Sequence, residues 1–182
     1  MGYTSWDVVF GEQPSAAKWN ILGTNDSSFN DGSGIGNGNA TLSNIYCFRA
    51  YASGSTTLTD ATFVTIAFAT ENYDYGSNFA TPTYTAPVAG IYHFDGCVTH
   101  ASGSATPVIA VTAIFVNGVQ EINGGAYAAQ SGGGNAYNVS GDILLAASDA
   151  VTLRHYQDSA GGEATDTNDY GTWFSGHLVH KT

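Results

Sequence analysis

The amino-acid sequence predicts an all-β fold, a sandwich or barrel of short strands, and three observations support this. From about residue 45 onward, short runs of β-branched and aromatic residues alternate with clusters of Gly, Ser, Asn, Asp and Pro. In the run 90–100, Tyr92 and Phe94 share one face of an alternating strand and polar residues occupy the other. The dipeptide Asn117-Gly118 stands between two β-prone runs, which is the strongest short-range signal for a hairpin.

The first forty residues have a different character from the rest of the chain. Pro14 stands near a helix start and Gly23 stands where a C-terminal cap would fall, so the sequence predicts one short helix over 14–22. Residues 24–39 are dominated by small polar residues and Gly without any period, which is typical of a linker or an extended arm. We therefore expect an N-terminal arm over 1–43 and a β domain over 44–182.

The β domain is predicted to contain strands at 45–52, 62–69, 77–85, 90–100, 108–116, 135–146, 150–157 and 172–180. The run 108–116 is apolar on both faces, and in an antiparallel protein this means that each face is covered. We expect a subunit interface to supply the second cover.

Composition excludes several classes of function. The chain has 182 residues, with four cations against fifteen acids and a net charge of -11. A nucleic-acid partner is excluded because phosphate neutralisation needs clustered Lys and Arg. No apolar run approaches the ~20 residues of a membrane span, so no membrane partner is expected. The N-terminus has neither a basic region nor an apolar stretch, so we expect no secretory signal peptide, and Cys47 and Cys97 are expected to be reduced core residues.

Candidate chemistry is sparse. No nucleophile with a base and an orienting acid, and no paired carboxylates, are visible at motif level, so no catalytic residue and no enzyme are predicted. The five His residues lie in predicted strands, where packed or solvated side chains are commoner than metal ligands. No cofactor is required. An acidic loop is either a solvated polar loop or a Ca²⁺ site, because hard cations take several oxygen ligands from flexible loops. Its candidate ligands are Asp158, Glu163, Asp166 and Asp169.

Two sets of large side chains suggest contacts with other molecules. The arm carries apolar groups in a segment too short to build a core, and they either pack on the β domain or dock into another protein, which we favour. These arm residues are Trp6, Trp19, Ile21 and Leu22. Several Tyr residues in predicted loops could stack on glycans, although Tyr is common in such loops. They are Tyr73, Tyr75, Tyr127, Tyr137 and Tyr170.

Five stretches, in their order along the chain, resemble the globular head domain of complement component C1q, in the superfamily of tumour necrosis factor. The most specific is Pro87-Val88-Ala89-Gly90-Ile91-Tyr92-His93-Phe94, which is similar to a Pro-x-x-Gly-x-Tyr-x-Phe turn and strand. The others are Cys47-Phe48-Arg49-Ala50, the segment 68–79 that ends in Phe79, the pair 141–145 and 149–153, and Phe174-Ser175-Gly176-His177-Leu178. The departures are Ser148, where the family usually has Gly, and Gly96, where it usually has a third aromatic residue.

This resemblance implies a ten-stranded jelly-roll sandwich that forms a tight homotrimer and serves recognition rather than catalysis. In a trimer, acids near the three-fold axis repeat three times, which would favour Ca²⁺ or protonation at the acidic loop. The residues expected in the core or the trimer interface are Val108, Ala110, Ile114, Tyr92, Phe94, Phe79, Gly90, Phe174 and Gly176.

The arm resembles a second group. The stretches 6–11, 14–26 and 29–32 are similar to the N-terminal segment of phage virion and tail-fibre proteins. This implies a virion structural protein assembled in the host cytoplasm, either a head fibre, a capsid decoration or a tail-fibre head. Its arm would bind a capsid or tail protein, and its head would bind a host-surface glycan or protein or stabilise the particle. The alternative is a bacterial cell- or spore-surface adhesion module with the same trimeric head.

Overall fold

A computed structural model describes residues 46–102, 109–125 and 134–182, which belong to one compact unit, Tyr46–Thr182. These residues contain thirteen strands and no helix, which confirms the all-β class. The predicted helix, the arm residues Trp6, Trp19, Ile21 and Leu22, and Val108 lie outside the described residues. The strands are β1 (Cys47–Tyr51), β2 (Thr57–Leu58), β3 (Val64–Thr65), β4 (Thr70–Tyr75), β5 (Phe79–Ala80), β6 (Thr83–Thr85), β7 (Gly90–Thr99), β8 (Ala110–Val116), β9 (Val119–Asn123), β10 (Ala136–Leu145), β11 (Ala150–Gln157), β12 (Glu163–Ala164) and β13 (Trp173–Lys181).

Two antiparallel sheets form the sandwich. One has five strands in the order β10-β7-β13-β1-β4, and the other has the main path β5-β6-β11-β8-β9 with β3 paired to β11. A short third sheet pairs β12 with β2. Because the first and last described strands are neighbours, with Cys47 opposite His177, the two ends of the described chain meet at one end of the sandwich. The opposite end, where β7 finishes, is called the distal end below.

Stacked aromatic rings fill the space between the sheets. The Phe48 ring stacks on Phe79 at 4.9 Å and on Tyr84 at 4.8 Å between ring centroids, and it meets Phe174 edge-on at 5.1 Å. Aromatic pairs in these arrangements stabilise a core beyond their buried area. Of the nine predicted core or interface residues, Val108 lies outside the described residues and the other eight are buried within one chain, Gly90 and Gly176 among them. The remaining six are Ala110, Ile114, Tyr92, Phe94, Phe79 and Phe174.

Three glycines of the five-stranded sheet lie where a side chain would not fit. A β-carbon at Gly176 would collide with the ring of Phe94, so this position has to be small for the ring to lie between the sheets. At Gly96, which departs from the aromatic residue usual in the family, the Leu153 side chain occupies the space, 2.6 Å from where a β-carbon would stand. Gly90 is similarly confined, because a β-carbon there would meet the backbone oxygen of His180.

The second cover of β8 comes from the same chain, which corrects the expectation of a subunit interface there. Phe115 is almost fully buried in the single chain. The Phe63 ring meets the Phe115 ring at 5.2 Å, and the Arg154 guanidinium lies 4.3 Å above it. A loop residue far from β8 in sequence therefore closes the outer face of this strand.

The residues of the predicted turns adopt the backbone angles that such turns need. Asn117 and Gly118 both have positive φ, at 50° and 83°, and they join Val116 to Val119 as the predicted hairpin. Ser148, which replaces the usual Gly, also has a positive φ of 75°, so it adopts a conformation that glycine enters at no steric cost. Three strands, β2, β4 and β12, are absent from the predicted set because they are short or polar, and β9 was predicted only as the second strand of the hairpin, without bounds.

Candidate interaction face

One side of the five-stranded sheet is turned away from the core, and we call it the open face. Its side chains line up in rows because the strands are in register. One row runs from Asp142 through His93 and His177 to Cys47 and Tyr75. The next row runs from Ser140 through Asp95, Ser175 and Arg49 to Tyr73. The open face therefore combines charged groups at its centre with large apolar groups toward its edges.

A histidine between two carboxylates occupies the centre of the open face. His93 Nδ1 lies 2.6 Å from Asp142 Oδ1, and its Nε2 lies 3.1 Å from Asp95 Oδ2. The hydrogen bond with Asp142, reinforced by the charges of both carboxylates, holds the pKa of His93 above its usual value. The ring of His177 is a neighbour, at 5.5 Å between centroids. This part of the face gains positive charge at a higher pH than a free imidazole would.

Arg49 is anchored on the same face. Its guanidinium lies 5.4 Å from the Trp173 ring centroid and donates hydrogen bonds to Asn72 Oδ1 and to the Asp169 carbonyl oxygen. These contacts tie β1 to β4 and to the loop that precedes β13. A cation held over an indole face is an attractive arrangement for a surface arginine.

Exposed apolar side chains frame the polar centre. Leu144 on β10 is 70% exposed and Tyr75 on β4 is 63% exposed. Tyr73 and Val179 are also exposed, and the rings of Tyr73 and Tyr75 are 6.0 Å apart. Several large apolar groups on one sheet face are typical of a surface that contacts another molecule.

The four acids proposed as Ca²⁺ ligands are engaged separately rather than together. Asp158 accepts a hydrogen bond from the Ile109 backbone at 2.6 Å, and the buried Glu163 accepts one from the Ser159 hydroxyl at 3.1 Å. Asp166 accepts from Asn168 at 2.8 Å, and Asp169 contributes its carbonyl oxygen to Arg49. Within the described ranges, no group of three or more His, Cys, Asp or Glu residues is arranged to hold a metal ion. Among the described residues, these four acids are therefore not gathered into one metal site.

The sequence also did not indicate a buried pair of histidines. His100, just after β7, and His155, in β11, are fully buried and their Nε2 atoms are 2.9 Å apart. They are 55 residues apart in the chain, and no spacing rule connects them. Of the candidate glycan-stacking residues, Tyr137 is buried beside this pair, Tyr73, Tyr75 and Tyr170 are exposed, and Tyr127 lies outside the described residues.

The described residues contain no helix with the length and hydropathy needed to cross a membrane.

Neither a family model nor a curated protein matches this chain. Solved structures do resemble it. The globular domain of zebrafish complement 1qA protein is 14% identical, with a TM-score of 0.54 over 75% of this chain and 99% of that one. Murine APRIL at pH 5.0 is 13% identical, with a TM-score of 0.56 over 73% of this chain and 98% of that one. The Eiger TNF structure from S. frugiperda is 12% identical, with a TM-score of 0.55 over 75% of this chain and 94% of that one. The described domain therefore has the C1q and TNF-like jelly-roll fold.

Proposed function

We propose that this chain is a non-enzymatic structural protein of a phage virion, a homotrimeric head fibre, capsid decoration or tail-fibre head. In this proposal the arm over 1–43 binds a capsid or tail protein, and the jelly-roll head meets a host-surface glycan or protein or stabilises the particle. The observation that supports a trimer is the open face, where large apolar side chains stay exposed in the single chain. The arm's resemblance to virion proteins carries the phage assignment.

The open face suits contact with copies of the same chain. Its edges are apolar, with Leu144 at one side of the sheet and Tyr75 at the other. Its centre holds groups of both charges, including His93, Arg49 and Asp142, so that copies can pair opposite charges rather than like ones. Because the two edges differ, a contact between unlike edges is heterologous, and such a contact forms a trimer where successive copies are rotated by a third of a turn.

The head's distal end supports a role in surface contact. Tyr170, in the loop before β13, is 76% exposed, and an exposed aromatic ring of this kind stacks well on sugar rings. Ser140 Oγ lies 3.4 Å from His93 Nε2, but both nitrogens of this imidazole face carboxylates, Asp95 at 3.1 Å and Asp142 at 2.6 Å, which favour its charged form over a base. The carboxylates of the acidic loop are held by separate hydrogen bonds. The proposal is therefore passive binding rather than turnover.

Light scattering coupled to size-exclusion chromatography of the full chain tests the assembly. We expect a mass of three chains, and we expect Leu144→Asp to shift it toward one chain by placing a charge in the interface. Val119→Asp is the matched control, because Val119 is 62% exposed on the other sheet and its substitution should leave the trimer intact. A monomeric wild-type chain, or a trimer unaffected by Leu144→Asp, would contradict the proposed interface.

Whether the protein lies on virions or on cell surfaces needs a separate experiment. Gold-labelled antibodies against the full chain, applied to intact particles and cells from a culture of the source, should label virions at discrete positions. Labelling confined to cell or spore surfaces would overturn the virion assignment and favour the adhesion module.

A further inference from the structure

The buried histidine pair lies where all three sheets meet at the distal end. His100 follows β7 of the five-stranded sheet, and His155 lies in β11 of the other main sheet. The backbone of His100 bridges Thr165, just after β12 of the short sheet. A change in the distance between the two imidazoles would therefore displace strands from separate sheets relative to each other.

The hydrogen bonds around the pair define the position of each proton. The Thr112 hydroxyl donates to the Tyr137 carbonyl oxygen at 2.9 Å and lies 2.9 Å from His155 Nδ1. Because the hydroxyl has a single hydrogen, which goes to the carbonyl, it accepts from His155, so His155 carries its proton on Nδ1. His155 Nε2 is then an acceptor, and the 2.9 Å contact requires His100 Nε2 to donate to it.

The hydrogen bond between the two imidazoles accommodates one proton and no more. A second proton on His155 would place two N–H groups face to face across 2.9 Å, and the bond would be replaced by repulsion. His155 has no exposed surface and its other nitrogen is already engaged by Thr112, so the charged ring has no alternative partner in place. Burial, together with the neighbouring His100, lowers the pKa of His155 to about 3.

The groups that face the pair are few. Tyr137 of β10 packs its ring 5.0 Å from His100 and 5.1 Å from His155, and Glu163 of β12 is close enough to raise the pKa of His100 against the stronger lowering by burial. His100 Nδ1, Tyr137 Oη and Glu163 Oε2 are all buried and lack a hydrogen-bond partner within the described part of the chain. A proton added to neutral His100 would lie near the Glu163 carboxylate, whereas a proton added to His155 would not.

The segment 158–172, which we call the distal loop, is attached to the end of β7 beside the pair. The Ala101 backbone donates to Ala164 at 2.8 Å, and the Asp166 backbone donates to Thr99 at 2.8 Å. The Thr99 hydroxyl donates to the Gly171 carbonyl oxygen at 2.7 Å. These three anchors of the loop thus flank His100 directly, whereas the pairing of β12 with β2 holds the loop on its other side.

We propose that His100 and His155 form an acid-sensitive latch that holds the distal loop against the end of β7 at neutral pH and releases it in mild acid. Release exposes both imidazoles to water, where they take up protons. This inference does not depend on the virion assignment or on the trimer.

Hydrogen exchange measured by mass spectrometry on the full chain at pH 7.5 and pH 5.0, corrected for intrinsic rates, tests the latch. An imidazole with an ordinary pKa of 6.5 when released favours the open state by about thirtyfold at pH 5.0. We expect protection in the distal loop to fall at least tenfold, while amides of 174–178 in β13 keep theirs. Unchanged protection of the distal loop would overturn the proposal.

Two variants separate the latch from a general effect of acid. In His155→Gln the amide accepts from His100 but does not titrate, so the loss of protection should be smaller than in the wild type, because only His100 can then take up a proton on release. His180→Gln removes an exposed imidazole of β13 and should respond as the wild type does. Equal acid responses of His155→Gln and wild type would refute the latch.

A measurement on the wild type alone covers the case in which His155→Gln does not fold. Nitrogen NMR of the imidazoles at pH 7.5 should show the Nδ1-protonated tautomer for His155 and the Nε2-protonated tautomer for His100. A charged His155, or both rings protonated on Nε2, would contradict the hydrogen bond from His100 to His155 on which the latch depends.

Discussion

Gly176 of β13 lies directly opposite Phe94 of β7, and the Phe94 ring occupies the space that a side chain at position 176 would need. The same missing side chain leaves room for Phe48, whose Cε1 is 3.0 Å from where a β-carbon would stand. One glycine on a central strand therefore allows two core rings to pack against the five-stranded sheet.

Gly176→Ala should destabilise the head by about 1–3 kcal/mol, because an added methyl group overpacks a filled core. The measurement is the free energy of unfolding from urea titration. Gly161→Ala is the control, since a β-carbon there meets nothing within 4 Å. Equal stabilities of the two variants would show that the core around Phe94 relaxes at no cost.

Phe63→Ala should lower the free energy of unfolding by about 1–2 kcal/mol, because it uncovers part of Phe115 on the outer face of β8. The mass measured by light scattering should stay that of the wild type, since this cover comes from the same chain. Phe63→Leu keeps an apolar cover and should cost less. A change of mass in Phe63→Ala would restore the sequence-based expectation of a subunit contact at β8.

Stability should fall as the pH drops from about 6.5 toward 3, the window set by the lowered pKa of His155. Below pH 6.5 the unfolded chain binds a proton on this imidazole that the folded chain does not, so acid favours unfolding. At pH 5.0 the loss for this residue is about 2 kcal/mol relative to pH 7. Urea titrations at both pH values measure it, and His155→Gln should show a smaller difference. A wild type with equal stability at both pH values would contradict the buried neutral pair.

His93 should titrate in the opposite direction from His155. Its pKa is raised, so its contribution to stability is present below pH 6.5 and is lost as the pH rises through its folded pKa. Proton NMR of the imidazole should give a pKa above 6.5 in the wild type and a lower one in Asp142→Asn, which keeps the shape but removes the charge. Glu71→Gln, on exposed β4, is the control and should leave the His93 pKa unchanged.

The melting temperature should be the same in EDTA and in millimolar Ca²⁺, within about 1 °C, because Asp158, Glu163 and Asp166 are engaged by separate hydrogen bonds. A ligand that binds only the folded state at a hundred times its Kd would add about 2.7 kcal/mol and raise the melting temperature by several degrees. Such a rise with Ca²⁺ would indicate a cation site formed between chains.

Local pattern accounted for much of the head. Runs of β-prone residues between turn clusters predicted β7, β10 and β11 nearly to their ends. In β7 the alternation also placed Tyr92 and Phe94 on one face, because the side chains of a strand repeat every two residues. The hairpin at Asn117-Gly118 followed from the positive φ that both positions adopt. Edge strand β4, with the sequence Thr-Glu-Asn-Tyr-Asp-Tyr, has no alternation of burial to detect, because neither face is deeply covered.

The sequence by itself determined the all-β class, most of the central strands and the hairpin turn, since each depends on neighbouring residues. Only the tertiary structure decided that Phe63 covers β8, that the four loop acids stay apart, and that His100 meets His155. These contacts join residues far apart in the chain, and their distances follow from how the two sheets pack rather than from any local preference.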